Sequence, residues 1–178
     1  MDMKICLIGP ALLLMLGCLG SIIGCGIAGM ASHGVMSRVE EDHGKFIGLS
    51  ALPSSQAMYS FVLMILMLPS IKSGALTVAS SIGIGGSIGV AIMVSAIYQG
   101  KCAATAIYAM AKDSKIYGKC LAALGIVEAF ALFAFVFSIF LLKAAAGGVE
   151  KIAFLDATGL YALNHQQEAL NCILFYFQ

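Results

Sequence analysis

Long uncharged stretches dominate this chain. Runs without Asp, Glu, Lys or Arg cover residues 5–37, 46–71 and 73–100, and a fourth, 120–142, is interrupted only by Glu128. Each run exceeds the roughly 20 residues with which a helix crosses a hydrocarbon core of about 30 Å. The pattern predicts an all-α membrane protein with four transmembrane helices, here called the first to fourth spans, near residues 5–31, 47–70, 74–100 and 120–142.

Composition supports this class, because 61% of the residues are hydrophobic and 11% are charged, which excludes an ordinary soluble domain. The N-terminal sequence MDMKICLIGPALLLMLGC also has features of a secretory signal with a cleavage site at Cys18. A signal core is about 7 to 15 residues long, whereas this apolar run continues well past Cys18. We therefore expect the segment to remain as the first span.

Lys and Arg concentrate in two of the connections. The residues on this side are Arg38 and Lys45 after the first span, Lys101 at the end of the third, and Lys112, Lys115 and Lys119 after it. The opposite side has Lys4, Lys72, Lys143 and Lys151. Because cytoplasmic loops carry the excess of basic residues, we expect both larger loops in the cytoplasm and both termini outside.

The chain is also internally similar at a shift of about 72 residues, which sets Gln56 opposite Glu128. This indicates two tandem hairpins, residues 1–72 and 73–143, followed by a tail, 144–178, of unknown role. Glycines cluster in the first span of each hairpin at spacings such as Gly20/Gly24 and Gly85/Gly89. Since small residues let helices approach closely in lipid, we expect the first and third spans to pack tightly. The second and fourth spans should face lipid or neighbours, including Phe130, Phe133, Phe135 and Phe137.

Glu128 is the one acidic residue inside the apolar runs. A carboxylate in hydrocarbon is costly unless it is neutralised or coordinated, so it marks an ion path or proton relay by default. The cysteines, in contrast, lack metal-ligand spacing and are better explained as small apolar packing residues.

Oxygen-bearing residues accompany this carboxylate. Leu52, Ser55, Gln56 and Tyr59 share one face of the second span, being spaced i, i+3, i+4 and i+7. Pro53 removes a backbone N–H and leaves carbonyl oxygens available there. Gln99 and Glu128 lie 16 and 13 residues from a turn near Lys115, or about 24 and 20 Å. Gln56 lies about 15 residues beyond the apex of its own loop, so all three share one level.

Such oxygen ligands without thiolates or imidazoles suit a hard cation, and a single carboxylate suits a monovalent one. The alternative is a set of polar residues that hydrogen-bond between helices without binding an ion.

These residues resemble the proteolipid subunit of rotary V-type ATPases, in its duplicated four-helix form. The resemblance covers about residues 8–143 and rests on LPSSQAMY, QGK and GIVEAF in the second, third and fourth spans. It implies a subunit that assembles with identical copies into a membrane rotor ring. In the sodium-translocating bacterial members, the ion ligands correspond to Leu52, Ser55, Gln56, Gln99 and Glu128, and Tyr59 corresponds to the tyrosine that holds the glutamate closed. Ser54 and Ser55 stand where Gly and Thr are more usual, and the tail is longer than the family normally shows.

The resemblance further implies a stator subunit that supplies an arginine, a cytoplasmic central stalk, and a location in the bacterial inner membrane. The transported ion is Na⁺ or H⁺, with no further cofactor and no nucleic-acid partner. We expect no catalysis in this chain, since it lacks the GxxxxGK[ST] phosphate loop. A self-contained four-helix channel or transporter and a structural membrane scaffold remain as alternatives.

Overall fold

The computed structural model describes residues 3–145, with side chains from residue 4 onwards. It confirms the all-α prediction, with four helical segments long and apolar enough to cross a membrane. The helices are α1 (Met3–Cys6), α2 (Ile8–Met36), α3 (His43–Ala51), α4 (Ser55–Lys72), α5 (Val78–Met110) and α6 (Tyr117–Ala145). The first span is α2, the second α3 with α4, the third α5 and the fourth α6. The tail predicted at 144–178 lies, beyond Ala145, outside the described residues.

The helices extend past the predicted ends of the spans on the loop side. The third span was predicted to end at residue 100, but α5 continues to Met110. A charge does not end a helix, and Lys101 fits on this one because its Nζ lies 4.8 Å from the ring centroid of Tyr98, one turn earlier. The prediction that α5 begins at residue 74 was also wrong. Gly74 has a left-handed φ of 74° that ends the preceding turn, and Thr77 caps α5 by accepting from the N–H of Ser80.

Helices α2 and α5 pack closely and run parallel. A Cβ atom built on Gly20 would lie 2.6 Å from Cα of Met93, and one built on Gly100 would lie 2.6 Å from the carbonyl carbon of Gly24. Both distances are shorter than real Cβ contacts, so only glycine permits this approach. Gly26, on the same helix as Gly20, faces open space among the described residues. The small-residue spacings therefore mark contacts inside one chain, as predicted for the first and third spans.

Helices α4 and α6 lie outside this pair. Gly17 of α2 faces Ser60 of α4, while Gly24 faces Pro53 just before it, so α2 and α4 run antiparallel. On α6, Phe130 and Phe137 are 66% and 64% exposed, which agrees with the predicted outward face.

Phe135 differs from Phe130 and Phe137. This residue is half-buried, and its ring centroid lies 5.8 Å from that of Tyr59. The offset contact between two tilted rings holds the phenol of Tyr59 beside α6. A count of aromatic residues along the helix does not show which of them turns inward.

Two apolar clusters make up the core of residues 3–145. The cluster at the loop end includes Phe46, Leu49, Ile107 and Leu124, and the cluster at the other end includes Leu13, Leu63, Met67 and Ile92. Buried polar side chains, Ser21, Gln56, Ser60, Ser95 and Gln99, lie between them along the chain. The fold thus places a polar layer within an apolar bundle.

The two loops at one end are joined around Asp42. Its carboxylate pairs with Nζ of Lys45 at 2.8 Å, and the same ammonium lies 5.8 Å from the ring centroid of Tyr117 at the start of α6. The hydrogen bond from Lys45, aided by its charge and by Ser114, holds the pKa of the Asp42 carboxyl below its usual range. Asp42 also has a left-handed φ of 63°, which Asp tolerates better than most residues. These contacts position the starts of α3 and α6 relative to each other.

Candidate functional site

The polar layer centres on two glutamines from different helices. Nε2 of Gln56 on α4 donates to Oε1 of Gln99 on α5 at 2.7 Å, and both side chains are fully buried. Since a buried amide is costly without partners, this bond between residues 43 positions apart links the two hairpins at one depth. Gln56 and Gln99 thus lie at the same depth in the bundle, as the sequence predicted.

The chain enters α4 through a distorted turn. Leu52–Ser54 forms a 3₁₀ turn with Pro53 in its first positions, and this turn separates α3 from α4. The Leu52 carbonyl accepts from the Ser55 hydroxyl at 3.0 Å, and the same hydroxyl lies 3.3 Å from Oε1 of Gln56. A carbonyl, a hydroxyl and an amide oxygen therefore lie next to one another where the 3₁₀ turn meets α4.

Glu128 meets the second span through a different residue. The hydroxyl of Tyr59 donates to Oε1 of Glu128 at 2.8 Å, and Phe135 packs on the ring of Tyr59. Glu128 is itself half-buried, and it lies between the exposed Ile126 and Phe130 on α6. The carboxylate thus sits at the boundary between the interior of the bundle and its outer surface.

The six predicted site residues fall into two hydrogen-bonded sets. Leu52, Ser55, Gln56 and Gln99 form one, and Tyr59 with Glu128 forms the other. The side chains of Ser55 and Tyr59, one turn apart on α4, lie within hydrogen-bonding reach of each other and connect the two sets. Nε2 of Gln99 is buried and has no hydrogen-bond partner within residues 3–145.

Sequence reasoning missed Ser95. Its hydroxyl donates to the carbonyl oxygen of Val127, the residue before Glu128, at 3.2 Å. Ser95 lies one turn before Gln99 on α5, and that spacing was a signal that could have identified it. A serine in an apolar helix is common, however, so spacing alone does not distinguish it from Ser87, which bonds within its own helix.

Comparison with known proteins places this arrangement in a family. The pattern of the ATP synthase C-subunit family matches residues 8–67 and again 82–141, so the chain contains two copies of it. The chain is 31% identical over 153 residues to A-type ATP synthase subunit K of Methanocaldococcus jannaschii, covering 84% of this chain and 68% of that protein.

It is also 31% identical over 125 residues to V-type sodium ATPase subunit K of Enterococcus hirae, covering 69% of this chain and 80% of that protein. Four helices that can cross a membrane agree with such a relationship. The chain therefore belongs to the ATP synthase C-subunit family, as a duplicated V/A-type ATPase proteolipid subunit and a multi-pass integral membrane protein.

Proposed function

We propose that this chain is a rotor-ring subunit that binds one Na⁺ at Glu128 and carries it through the membrane during ATP-driven transport. The observation that carries the proposal is the pairing of Tyr59 with Glu128 beside the buried amides of Gln56 and Gln99. Hydrolysis of ATP is assigned to other subunits, because this chain lacks the GxxxxGK[ST] phosphate loop and is similar to the K subunits of two ATPase complexes.

The ligands proposed for Na⁺ are the Leu52 carbonyl, the Ser55 hydroxyl, the two glutamine amides and the Glu128 carboxylate. Oxygen atoms suit a hard cation, and one carboxylate balances its single charge. Charge balance matters here because an unpaired ion in the hydrocarbon region is expensive.

The amide pair supports this assignment. Its hydrogen bond is preserved if both amide groups turn over, so that Nε2 of Gln99 donates to Oε1 of Gln56. Oε1 of Gln99 then takes the position of the Nε2 atom that has no partner in the described chain. A buried oxygen without a donor is the kind of atom that a bound cation satisfies.

Sodium is preferred over the proton as the cargo. A proton needs only the carboxylate and one acceptor, so the buried amides would be surplus to a proton site. The relative from Enterococcus hirae is named as a sodium ATPase subunit, which agrees with this choice.

Transport follows from neutralisation and release. Na⁺ bound to Glu128 forms a neutral pair that can face lipid as the ring turns, and the Tyr59 hydroxyl holds the carboxylate closed. A hydrogen bond to a charged group contributes about 1.5–3 kcal/mol, so the closed state is favoured roughly 10- to 150-fold. At the stator, an arginine competes for the carboxylate, and the ion leaves.

The duplicated chain also determines how many ions move per turn. Gln56 stands in the first hairpin where Glu128 stands in the second, so one ion is bound per copy of the chain. Moving a unit charge costs about 2.3 kcal/mol per 100 mV. A ring with fewer ions per turn can drive each of them against a larger potential, which suits a pump.

Carbodiimide modification of Glu128 tests the sodium site. Sodium should protect this carboxyl from dicyclohexylcarbodiimide at neutral pH. Gln99→Ala should raise the half-protecting sodium concentration about tenfold or more, since it removes an oxygen ligand and leaves Gln56 unpaired. The measurement is the initial labelling rate against sodium concentration in the assembled complex.

Ser87→Ala is the matched control for this experiment, because Ser87 is exposed on the same helix and donates to its own Gly83 carbonyl. Labelling that depends on pH but is indifferent to sodium would identify the proton as the cargo. The rotor function would then stand, and the two glutamines would serve only to join helices.

Orientation is a separate part of the proposal. Both basic loops are placed in the cytoplasm, where they would meet the central stalk. Single cysteines at Ser37 and Lys115, both exposed, should react with an impermeant maleimide from the cytoplasmic side only. Sealed vesicles of known orientation provide the measurement, and labelling from the outer side would overturn this topology and the ion path drawn from it.

A channel or a scaffold would behave differently. A self-contained channel needs a path through one chain, whereas Glu128 lies at the outer boundary of this bundle. A scaffold would tolerate loss of the carboxylate.

A further inference from the structure

We propose that Ser95 is a positioning residue for the ion site, which holds α6 at the height and rotation that Glu128 needs to close. This inference rests on the proposed function. The observation behind it is the hydrogen bond from the Ser95 hydroxyl to the Val127 carbonyl, 3.2 Å long and one residue from Glu128.

The direction of this bond is unusual for a serine in a helix. Such a hydroxyl commonly bonds to the carbonyl four residues earlier in its own helix, as Ser87 does with Gly83. Ser95 is 7% exposed and instead crosses to α6. Its bond therefore contributes to the contact between two helices rather than to one helix alone.

Helix α6 benefits from such a contact because few buried side chains fix its position. Only a few of its side chains in the described range are buried: Leu124, Ala131, Ser138 and Leu142. Moving along a helix by one residue shifts the position by about 1.5 Å and turns it by about 100°. A slip of α6 by one residue would thus turn the Glu128 carboxylate away from Tyr59.

The two bonds to α6 at this depth have different acceptors. Tyr59 donates to the carboxylate itself, so this bond must break whenever Glu128 opens to exchange its ion. Ser95 donates to a backbone carbonyl and can remain bonded throughout. Ser95 would then keep α6 in register while the carboxylate is open, so that Glu128 can return to the same ligands.

The test compares Ser95→Ala with the control Ser87→Ala in the assembled complex. Loss of one ordinary hydrogen bond should raise the half-protecting sodium concentration for carbodiimide labelling about fivefold in Ser95→Ala. Ser87→Ala should match the wild type, and Ser95→Thr, which keeps a hydroxyl, should stay within about twofold of it. A Ser95→Ala midpoint equal to that of the control would overturn the proposal.

Other outcomes separate this inference from the choice of sodium. If labelling of the wild type ignores sodium, the sodium site fails, and the midpoint pH of labelling becomes the readout. A shift of the midpoint pH by about half a pH unit or more in Ser95→Ala, but not in Ser87→Ala, supports the positioning role. An unchanged midpoint pH in Ser95→Ala overturns it.

If Ser95→Ala does not assemble, Ser95→Thr is compared with Ser95→Cys, which is close in size but a weak donor. A half-protecting sodium concentration that is raised in Ser95→Cys but not in Ser95→Thr supports the proposal. Equal concentrations in the two variants overturn it. Absence of labelling in the wild type at every pH would overturn the ion site and Ser95 positioning together.

Discussion

Glu128→Gln is expected to abolish ATP-driven sodium transport and carbodiimide modification, while the ring still assembles. Glutamine keeps the size and the hydrogen bond to Tyr59 but lacks the charge that neutralises a cation. An unbalanced charge near the centre of a bilayer costs about 2.5–3.5 kcal/mol on insertion scales, so sodium occupancy should fall about a hundredfold or more. The measurement is ²²Na⁺ uptake by inverted vesicles that contain matched amounts of the complex.

Glu128→Asp provides the comparison. It retains the charge but shortens the side chain by one methylene, which withdraws the carboxylate from the Tyr59 hydroxyl, 2.8 Å away in the native chain. Transport should therefore be reduced but measurable. Normal transport by Glu128→Gln would refute the role of the carboxylate and favour the structural scaffold.

Gly20→Leu is expected to prevent recovery of the ring. Even the first added carbon would lie 2.6 Å from Cα of Met93, which is backbone and cannot rotate away. Overpacking typically costs 1–3 kcal/mol for small additions, and leucine adds a whole branched side chain, so we expect a loss of about 3 kcal/mol or more. Native mass spectrometry of the detergent-extracted complex would show the ring lost or its yield strongly reduced.

Gly26→Ala is the control from the same helix, because a Cβ at Gly26 meets no atom of residues 3–145 within 4 Å. Gly24→Ala adds a single carbon, which would meet the backbone carbonyl oxygen of Ala96 and lie 2.8 Å from Cβ of Pro53, so its yield of ring should fall between the two. A full yield of ring from Gly20→Leu would contradict the close packing of α2 against α5. A wild-type protein that remained a stable monomer while the rest of the complex was intact would contradict ring assembly itself.

The local pattern of apolar and polar residues was sufficient to predict a membrane protein and its four spans. Uncharged runs of helical length have one stable solution in lipid, because helices satisfy every backbone hydrogen bond internally. The same pattern singled out Glu128, since a carboxylate stands out in an apolar run. It also placed Ser55, Gln56 and Tyr59 on one face, because the helical period is fixed by backbone geometry.

Helix ends were less predictable because they depend on what covers them. The third span was predicted to end at residue 100 because a charged residue follows it. In the structure, Lys101 lies over the ring of Tyr98, and α5 continues to Met110. Spacing alone could not distinguish Gly20, which lies against Met93, from Gly26, which contacts no other helix in the described part of the chain. That distinction depends on which face of α2 turns toward α5.

The sequence alone determined a four-helix membrane protein with one intramembrane carboxylate and a set of oxygen-bearing residues at its depth. Only the tertiary structure decided that Gln56 bonds to Gln99, that Phe135 turns inward onto Tyr59, and that Ser95 reaches Val127. These contacts join helices whose relative rotation and height arise from packing of the whole bundle. A period along one helix fixes which residues share a face, whereas the partner of that face is set by side chains far away in the chain.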